Sequence, residues 1–147
     1  MDSRRSSLAG GKSGIEGVEG LIVDTSVVSY LLKGHSLAPR YWEHLKGRLL
    51  CISFMSVAEL YRWPLARSWG ERRVESLREH LRSYAVLPYD DAMSWEWAGI
   101  MSRKGHPIAV ADAWIAATAV RHDLPLITHN PRHFQSIHGL EVITVPA

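Results

Sequence analysis

Short apolar runs, each followed by polar residues and then by a segment with helical periodicity, recur along the whole chain. Continuous apolar runs of this length are typical of strands covered on both faces. Strands that alternate with helices predict a parallel sheet with helices on both sides. We therefore expect an α/β fold with about five strands. The expected strands are residues 21–23, 49–52, 85–89, 124–128 and 141–145.

Length and composition favour one globular domain without a membrane-spanning segment. The chain has 147 residues and a formal net charge of +2, which neither requires nor excludes a nucleic-acid partner. No apolar run approaches the roughly 20 residues that span a bilayer. The single cysteine, Cys51, cannot form an internal disulfide, so we expect a cytoplasmic protein. Residues 1–20 are rich in serine and glycine, and we expect a disordered leader before a domain at 21–147.

Polar residues stand where the predicted strands end. Asp24 ends the first run, Asn130 follows the fourth, and Glu59 falls in the first turn of a helix expected to start at Ser56. Asp112 falls in the first turn of an alanine-rich helix expected at 110–122. The carboxyl ends of parallel strands share one edge of a sheet. Two carboxylates about 4 Å apart repel by roughly 4 kcal/mol at an effective dielectric of 20. Three converging acids without zinc-type ligands therefore favour Mg²⁺ or Mn²⁺.

Each of these residues also has a purely structural interpretation. Asp24 can be the N-cap of the first helix. Ser56 and Glu59 have the spacing of a capping box, in which the glutamate bonds back to the cap backbone. Asn130 before Pro131 suits a helix start. Asp112 is harder to explain in this way, because its helix face is otherwise apolar and its first-turn charge is worth only about 0.3–1 kcal/mol.

Three further groups of residues have two open interpretations. The histidines are either loop residues or metal ligands, and His129 is in addition a candidate phosphate contact; they are His106, His129 and His133. The arginines between residues 62 and 82 alternate with glutamates, which fits either a solvated helix face or a track for an RNA backbone. Six tryptophans are many for this length; they fit either the core or an interface, and a homodimer contact is expected for some.

Four segments together resemble the motifs of PIN-domain ribonucleases, and most closely the VapC-like toxins of bacterial and archaeal toxin–antitoxin pairs. The resemblance extends from Leu21 to the C-terminus. Its specific parts are the alanine-rich block around Asp112 and the closing Thr-x-Asn-x-x-x-Phe. The segments are LIVDTS at 21–26, VAEL at 57–60, IAVADAWIAATA at 108–119 and LITHNPRHF at 126–134.

The resemblance implies a PIN-like three-layer sandwich and Mg²⁺-dependent hydrolysis of RNA phosphodiester bonds. It makes Asp24 and Asp112 the principal metal ligands and Glu59 the third acid. Asn130 stands where the family often has aspartate. It also implies a cognate antitoxin that holds the toxin inactive.

Ser26 and Thr128 are expected to hydrogen-bond the metal ligands or a phosphate. Two alternatives to a toxin remain open. One is a housekeeping RNA-processing nuclease without an antitoxin. The other is a non-catalytic partner-binding domain whose acids are helix caps.

Overall fold

The computed structural model describes residues 19–146, which form a parallel sheet between two layers of helices. Residues 1–18 of the expected leader lie outside this range, and β1 begins at Gly20. The elements are β1 Gly20–Val23, α1 Thr25–Lys33, α2 Ala38–Leu45, β2 Leu49–Ser53, α3 Phe54–Arg67, α4 Glu71–Leu81, β3 Ala85–Leu87, α5 Asp91–Met101, α6 Val110–His122, β4 Leu126–Ile127, a 3-10 helix Pro131–Phe134 and β5 Val142–Ile143.

All described strand pairs are parallel, and the sheet order is β3-β2-β1-β4-β5. This confirms the expected α/β fold of five parallel strands. The central strand β1 lies between β2 and β4, with Ile22 in register with both Cys51 and Leu126. The amide of Asp24 continues this pairing by donating to the Ile127 carbonyl at 2.9 Å. The chain segments that follow β1, β2 and β4 therefore start side by side at one edge.

The core has two parts, one on each face of the sheet. Alternation along β1 sends Leu21 and Val23 to the face covered by α1–α4, and Ile22 to the face covered by α5 and α6. Small side chains let α6 approach the sheet closely, and its five fully buried apolar residues are Ala113, Ile115, Ala116, Ala117 and Ala119. The expected packing of the Asp112 helix against the sheet is confirmed. No helix in residues 19–146 has the length and apolar character needed to cross a membrane.

Helix α3 starts two residues before the expected position. Ser53, the last residue of β2, is its N-cap, and the Ser53 hydroxyl accepts a hydrogen bond from the Met55 amide at 3.1 Å. Thr118 of α6 also lies 3.0 Å from this hydroxyl. The capping box expected at Ser56 and Glu59 is therefore absent, and Glu59 lies in the second turn of α3 rather than the first.

Asp90 joins α5 to the end of α6, and its loss should destabilise the fold. It accepts from the Met93 amide at 2.8 Å and from Arg121 Nε at 2.9 Å. Burial raises its pKa, but these two donors outweigh burial and the net pKa is lowered. We expect Asp90→Ala to lower the free energy of unfolding by about 2 kcal/mol, because a cap is lost and Arg121 is left unpaired.

Urea denaturation measures this effect. Asp91→Ala is the matched control, since Asp91 is the next residue and lies in the first turn of the same helix. We expect the control to change the free energy of unfolding by less than about 0.5 kcal/mol. Equal losses in the two variants would contradict the role given to the Asp90–Arg121 pair.

Candidate active site

Asp24 is a buried carboxylate held by two hydroxyl groups. Its side chain is only 4% exposed, and its Oδ2 accepts hydrogen bonds from Ser26 Oγ at 2.9 Å and Thr128 Oγ1 at 2.6 Å. Asp24 stands at the N-cap position of α1, but its side chain makes no capping hydrogen bond. The capping interpretation therefore does not account for this acid. Its second oxygen, Oδ1, accepts no hydrogen bond from residues 19–146.

Glu59 reaches the same edge from α3 and is held by a hydroxyl of α1. Thr25 Oγ1 lies 2.7 Å from Glu59 Oε1 and 2.9 Å from Ser56 Oγ. Because Thr25 has one hydroxyl hydrogen, it donates to the carboxylate and accepts from Ser56. Ser56 is fully buried and so supports Thr25 instead of capping α3. Within the described residues, Oε2 of Glu59 is left without a hydrogen bond.

Asp112 enters from the first turn of α6 and contacts a histidine of the 3-10 helix. His133 Nδ1 lies 3.1 Å from Asp112 Oδ2, which makes an ion pair when the imidazole is protonated. The sequence suggested that His133 is a loop residue or a metal ligand, whereas the structure places it against a carboxylate. The described part of the chain offers no hydrogen-bond donor to Asp112 Oδ1.

The loop after β4 closes the network around Asp24. Thr128 Oγ1 donates to Asp24 and accepts from the Asn130 amide at 3.0 Å, while the His129 amide donates to Ser26 Oγ at 3.2 Å. Asn130 is exposed and its side chain does not cap the 3-10 helix. Its amide group is thus available at the sheet edge, which the helix-start interpretation did not anticipate.

The pKa values of Glu59 and Asp112 are both raised in the folded protein. Burial raises the pKa of Asp112, and the charge of Asp24 raises it further, against the opposing effect of His133. Burial also raises the pKa of Glu59; the Thr25 hydrogen bond lowers it, and the charges of Asp24 and Asp112 raise it. Burial and neighbouring negative charge therefore both disfavour the ionised forms of Glu59 and Asp112.

The residues at this edge have the chemistry of a site for a hard divalent cation. Asp24, Glu59 and Asp112 each have one oxygen held by a protein donor and one that accepts no protein hydrogen bond. Among residues 19–146, no three acidic, histidine or cysteine side chains are already clustered at metal-ligand distances. Mg²⁺ commonly takes one or two carboxylates from the protein and keeps several waters, so a set of three close carboxylates is not needed. The donor set is all oxygen, as Mg²⁺ and Mn²⁺ prefer.

The raised pKa values predict how stability changes with pH in EDTA. An acid whose pKa is raised by folding stabilises the protein below its ordinary pKa, and this contribution is lost as pH rises through the raised value. We therefore expect Asp112→Asn to melt close to wild type near about pH 4 and above it near about pH 7. Thermal melts of both proteins across this range provide the measurement. A difference in melting temperature between the two proteins that stays constant with pH would contradict the raised pKa assigned to Asp112.

Two contacts in the site were missed by the sequence analysis. Thr25 directly follows Asp24, so a second hydroxyl beyond the strand was a visible signal. Nothing in the sequence indicated that Thr25 faces Glu59, 34 residues away. His133 was considered as a metal ligand but not as the partner of Asp112. Both contacts depend on how helices from separate chain segments pack at the sheet edge.

The other open groups lie outside this network. Arg82 pairs with Glu75 and Glu79, which favours a solvated, ion-paired face for that part of the arginine run. Trp95 is exposed, whereas Trp97 stacks on Trp114 with ring centroids 5.0 Å apart. The homodimer and the RNA track stay predictions.

Comparison with known proteins places the chain in a family. The PIN domain family matches residues 21–140, a range that contains all four predicted site residues. Ribonuclease VapC1 of Rickettsia felis is 32% identical over 132 residues, covering 86% of this chain and 96% of the relative. This chain is a PIN-domain ribonuclease of the VapC family.

Solved structures agree with this VapC-family assignment. VapBC-1 from nontypeable Haemophilus influenzae matches with a TM-score of 0.72 and 27% identity, covering 85% of this chain and 97% of that chain. VapBC2 from Rickettsia felis, solved with a promoter DNA fragment, has a TM-score of 0.76 at 20% identity, covering 86% and 99%. At that identity the second match shows the fold alone. The PIN-like sandwich expected from the sequence is thus confirmed.

Proposed function

We propose that this VapC-family protein is a Mg²⁺-dependent endoribonuclease and the toxin of a toxin–antitoxin pair. The observation that carries the proposal is the convergence of three acids from three separate elements. Asp24 and Asp112 are the principal metal ligands in this proposal, and Glu59 is the third acid. Mn²⁺ is expected to substitute, because it prefers the same oxygen donors. RNA is the substrate, and the site of action is the cytoplasm.

The chain's own residues orient the acids for hydrolysis. A divalent cation bound here would lower the pKa of a bound water and offset charge on the phosphate. Ser26 and Thr128 hold one oxygen of Asp24, which leaves the other free to bind the ion. Thr25 holds Glu59 in the same way, so that its second oxygen can accept a hydrogen bond from the attacking water.

Two further residues orient groups around the acids. His133 fixes one oxygen of Asp112. Asn130 supplies a neutral amide where the family often has aspartate, and this amide can hydrogen-bond a water or a phosphate oxygen. Asn130 therefore adds no charge to the site.

Incubation with a pool of cellular RNAs tests the activity directly. We expect new RNA ends to appear with millimolar Mg²⁺ and to be absent in EDTA, and mapping these ends identifies the substrate. Asp112→Asn should remove the cuts. Asp91→Asn, an exchange of the same kind in the first turn of α5, should leave them unchanged. Cuts that persist in EDTA or in Asp112→Asn would refute the proposal.

An antitoxin is the proposed protein partner. The matched VapBC structures are complexes named for both members of a pair, which favours a toxin over a housekeeping nuclease. The third alternative, a non-catalytic domain with acids as caps, loses its basis because Asp24 and Asn130 make no side-chain caps and the Ser56–Glu59 box is absent.

Expression in a bacterial host without an antitoxin distinguishes toxin from housekeeping nuclease. We expect wild type to arrest growth, because uncontrolled RNA cleavage stops protein synthesis. Asp112→Asn should relieve the arrest at the same expression level. Growth at the normal rate with a soluble wild-type protein that cleaves RNA in vitro would favour the housekeeping function.

A further inference from the structure

His129 lies beside the Asp24 network and is fixed at two points. Its backbone N–H donates to Ser26 Oγ at 3.2 Å, and Ser26 in turn donates to Asp24. Its half-buried imidazole packs against two tyrosine rings, with centroids 5.0 Å from Tyr30 and 5.7 Å from Tyr41. The ring therefore has a defined place next to the catalytic carboxylate.

The hydroxyl group of Tyr41 determines which nitrogen of His129 carries the proton. Tyr41 is fully buried, and its hydroxyl bonds to His129 Nδ1. The described residues offer this hydroxyl no other partner. If it accepted a hydrogen bond from Nδ1–H, its own hydrogen would be buried without an acceptor, which is unfavourable. The phenol therefore donates to Nδ1, and the neutral imidazole has its hydrogen on Nε2.

The Nε2–H group of His129 faces solvent. It has no hydrogen-bond partner among residues 19–146. In this part of the chain, two buried side-chain polar atoms lack a hydrogen-bond partner, Trp97 Nε1 and His122 Nε2. His129 Nε2 is not one of them, so it is not buried. An unpaired atom that is not buried is accessible. A hydrogen-bond donor thus lies open to solvent at the edge where Asp24 stands.

We propose that Tyr41 is a positioning residue that fixes the Nε2–H tautomer of His129, and that His129 thereby donates a hydrogen bond to a phosphate oxygen of the RNA backbone. A phosphate oxygen is ionised, and a hydrogen bond to an ionised acceptor is stronger than one to a neutral acceptor. This inference rests on the proposed ribonuclease function. It adds a phosphate contact that is independent of the metal ligands.

Nitrogen NMR of the imidazole rings tests the tautomer without RNA or metal. In ¹⁵N-histidine-labelled protein in EDTA near about pH 8, where imidazoles are neutral, we expect His129 to show the Nε2–H form. Loss of one signal set in His129→Gln assigns it among the eight histidines. Tyr41→Phe should move His129 toward a mixture of tautomers. Tyr30 also contacts the His129 ring, but its hydroxyl makes no hydrogen bond in the described residues. Tyr30→Phe should therefore leave the tautomer of His129 unchanged.

Steady-state cleavage of a fluorescent RNA that wild type cuts tests the phosphate contact. We expect Tyr41→Phe and His129→Leu to raise KM by about 5- to 10-fold with kcat changed less than about twofold, as for loss of one binding hydrogen bond. His129→Gln, which keeps an N–H donor near the Nε2 position, should retain most of the affinity. Anisotropy titrations of the same RNA in EDTA should give a parallel change in Kd.

The outcomes separate the two hypotheses. If wild type cuts no RNA, the ribonuclease proposal and this inference both fail. If wild type cuts RNA and both Tyr41→Phe and His129→Leu keep its KM, this inference fails and the ribonuclease proposal stands. His129→Leu decides the question if Tyr41→Phe does not fold, because His129 is only half-buried. A wild-type Nδ1–H tautomer would overturn the role of Tyr41.

Discussion

Replacing Asp24 or Asp112 with alanine is expected to reduce Mg²⁺-dependent RNA cleavage by about a thousandfold or more while the protein stays folded. Each change removes a carboxylate that would hold the catalytic ion, and metal stabilisation of the transition state is worth several kcal/mol. A loss of about 4 kcal/mol corresponds to roughly three orders of magnitude in rate. Initial rates of cleavage of a mapped RNA, with circular dichroism of each variant, provide the measurement.

Two further variants make this test specific. Asn130→Ala should reduce the rate much less, because the change removes an amide but no charge, and the Asn130 backbone bond to Thr128 remains. Asp91→Ala should leave the rate unchanged, since this exposed acid begins a different helix. Wild-type rates in both Asp24→Ala and Asp112→Ala would end the metal-ligand assignment.

Mg²⁺ or Mn²⁺ is expected to raise the melting temperature of wild type. A ligand that binds only the folded state stabilises it by about 2.7 kcal/mol at a concentration about 100-fold above its Kd. For a chain of this size, that corresponds to a shift of roughly 5–10 °C. In EDTA, Asp112→Asn should melt above wild type, because burial and the charge of Asp24 both disfavour the ionised Asp112. With metal, this variant should gain less.

The capping interpretation predicts the opposite pattern for the same melts. If Asp112 only made a favourable interaction with the helix dipole, its neutralisation would lower the free energy of unfolding by about 0.3–1 kcal/mol. In that case the melting temperature of neither protein would respond to metal. Asp91→Asn is the matched control, since Asp91 is also a first-turn acid. Its melting temperature should change little, and it should keep the full metal response. A metal response that is equal in wild type and Asp112→Asn would remove Asp112 from the site.

Strand and helix positions were predictable where local patterns agree with the fold. The helix expected at 110–122 has those bounds in the structure. The predicted start of α3 was wrong because the sequence offers two serines that can cap this helix. Ser56 looked like a cap, but Ser53 caps the helix and also bonds with Thr118. That contact joins residues far apart in the chain, so no local pattern reveals it.

The sequence by itself determined the order of strands and helices along the chain and the placement of Asp24, Glu59 and Asn130 near one sheet edge. Periodicity and parallel topology fix these features, because they depend on local patterns and on a general rule of chain connection. The tertiary structure alone decided which donor holds each acid. Thr25 meets Glu59 across 34 residues and Tyr41 meets His129 across 88. Such contacts arise from the packing of whole helices, which brings together side chains that no sequence spacing relates.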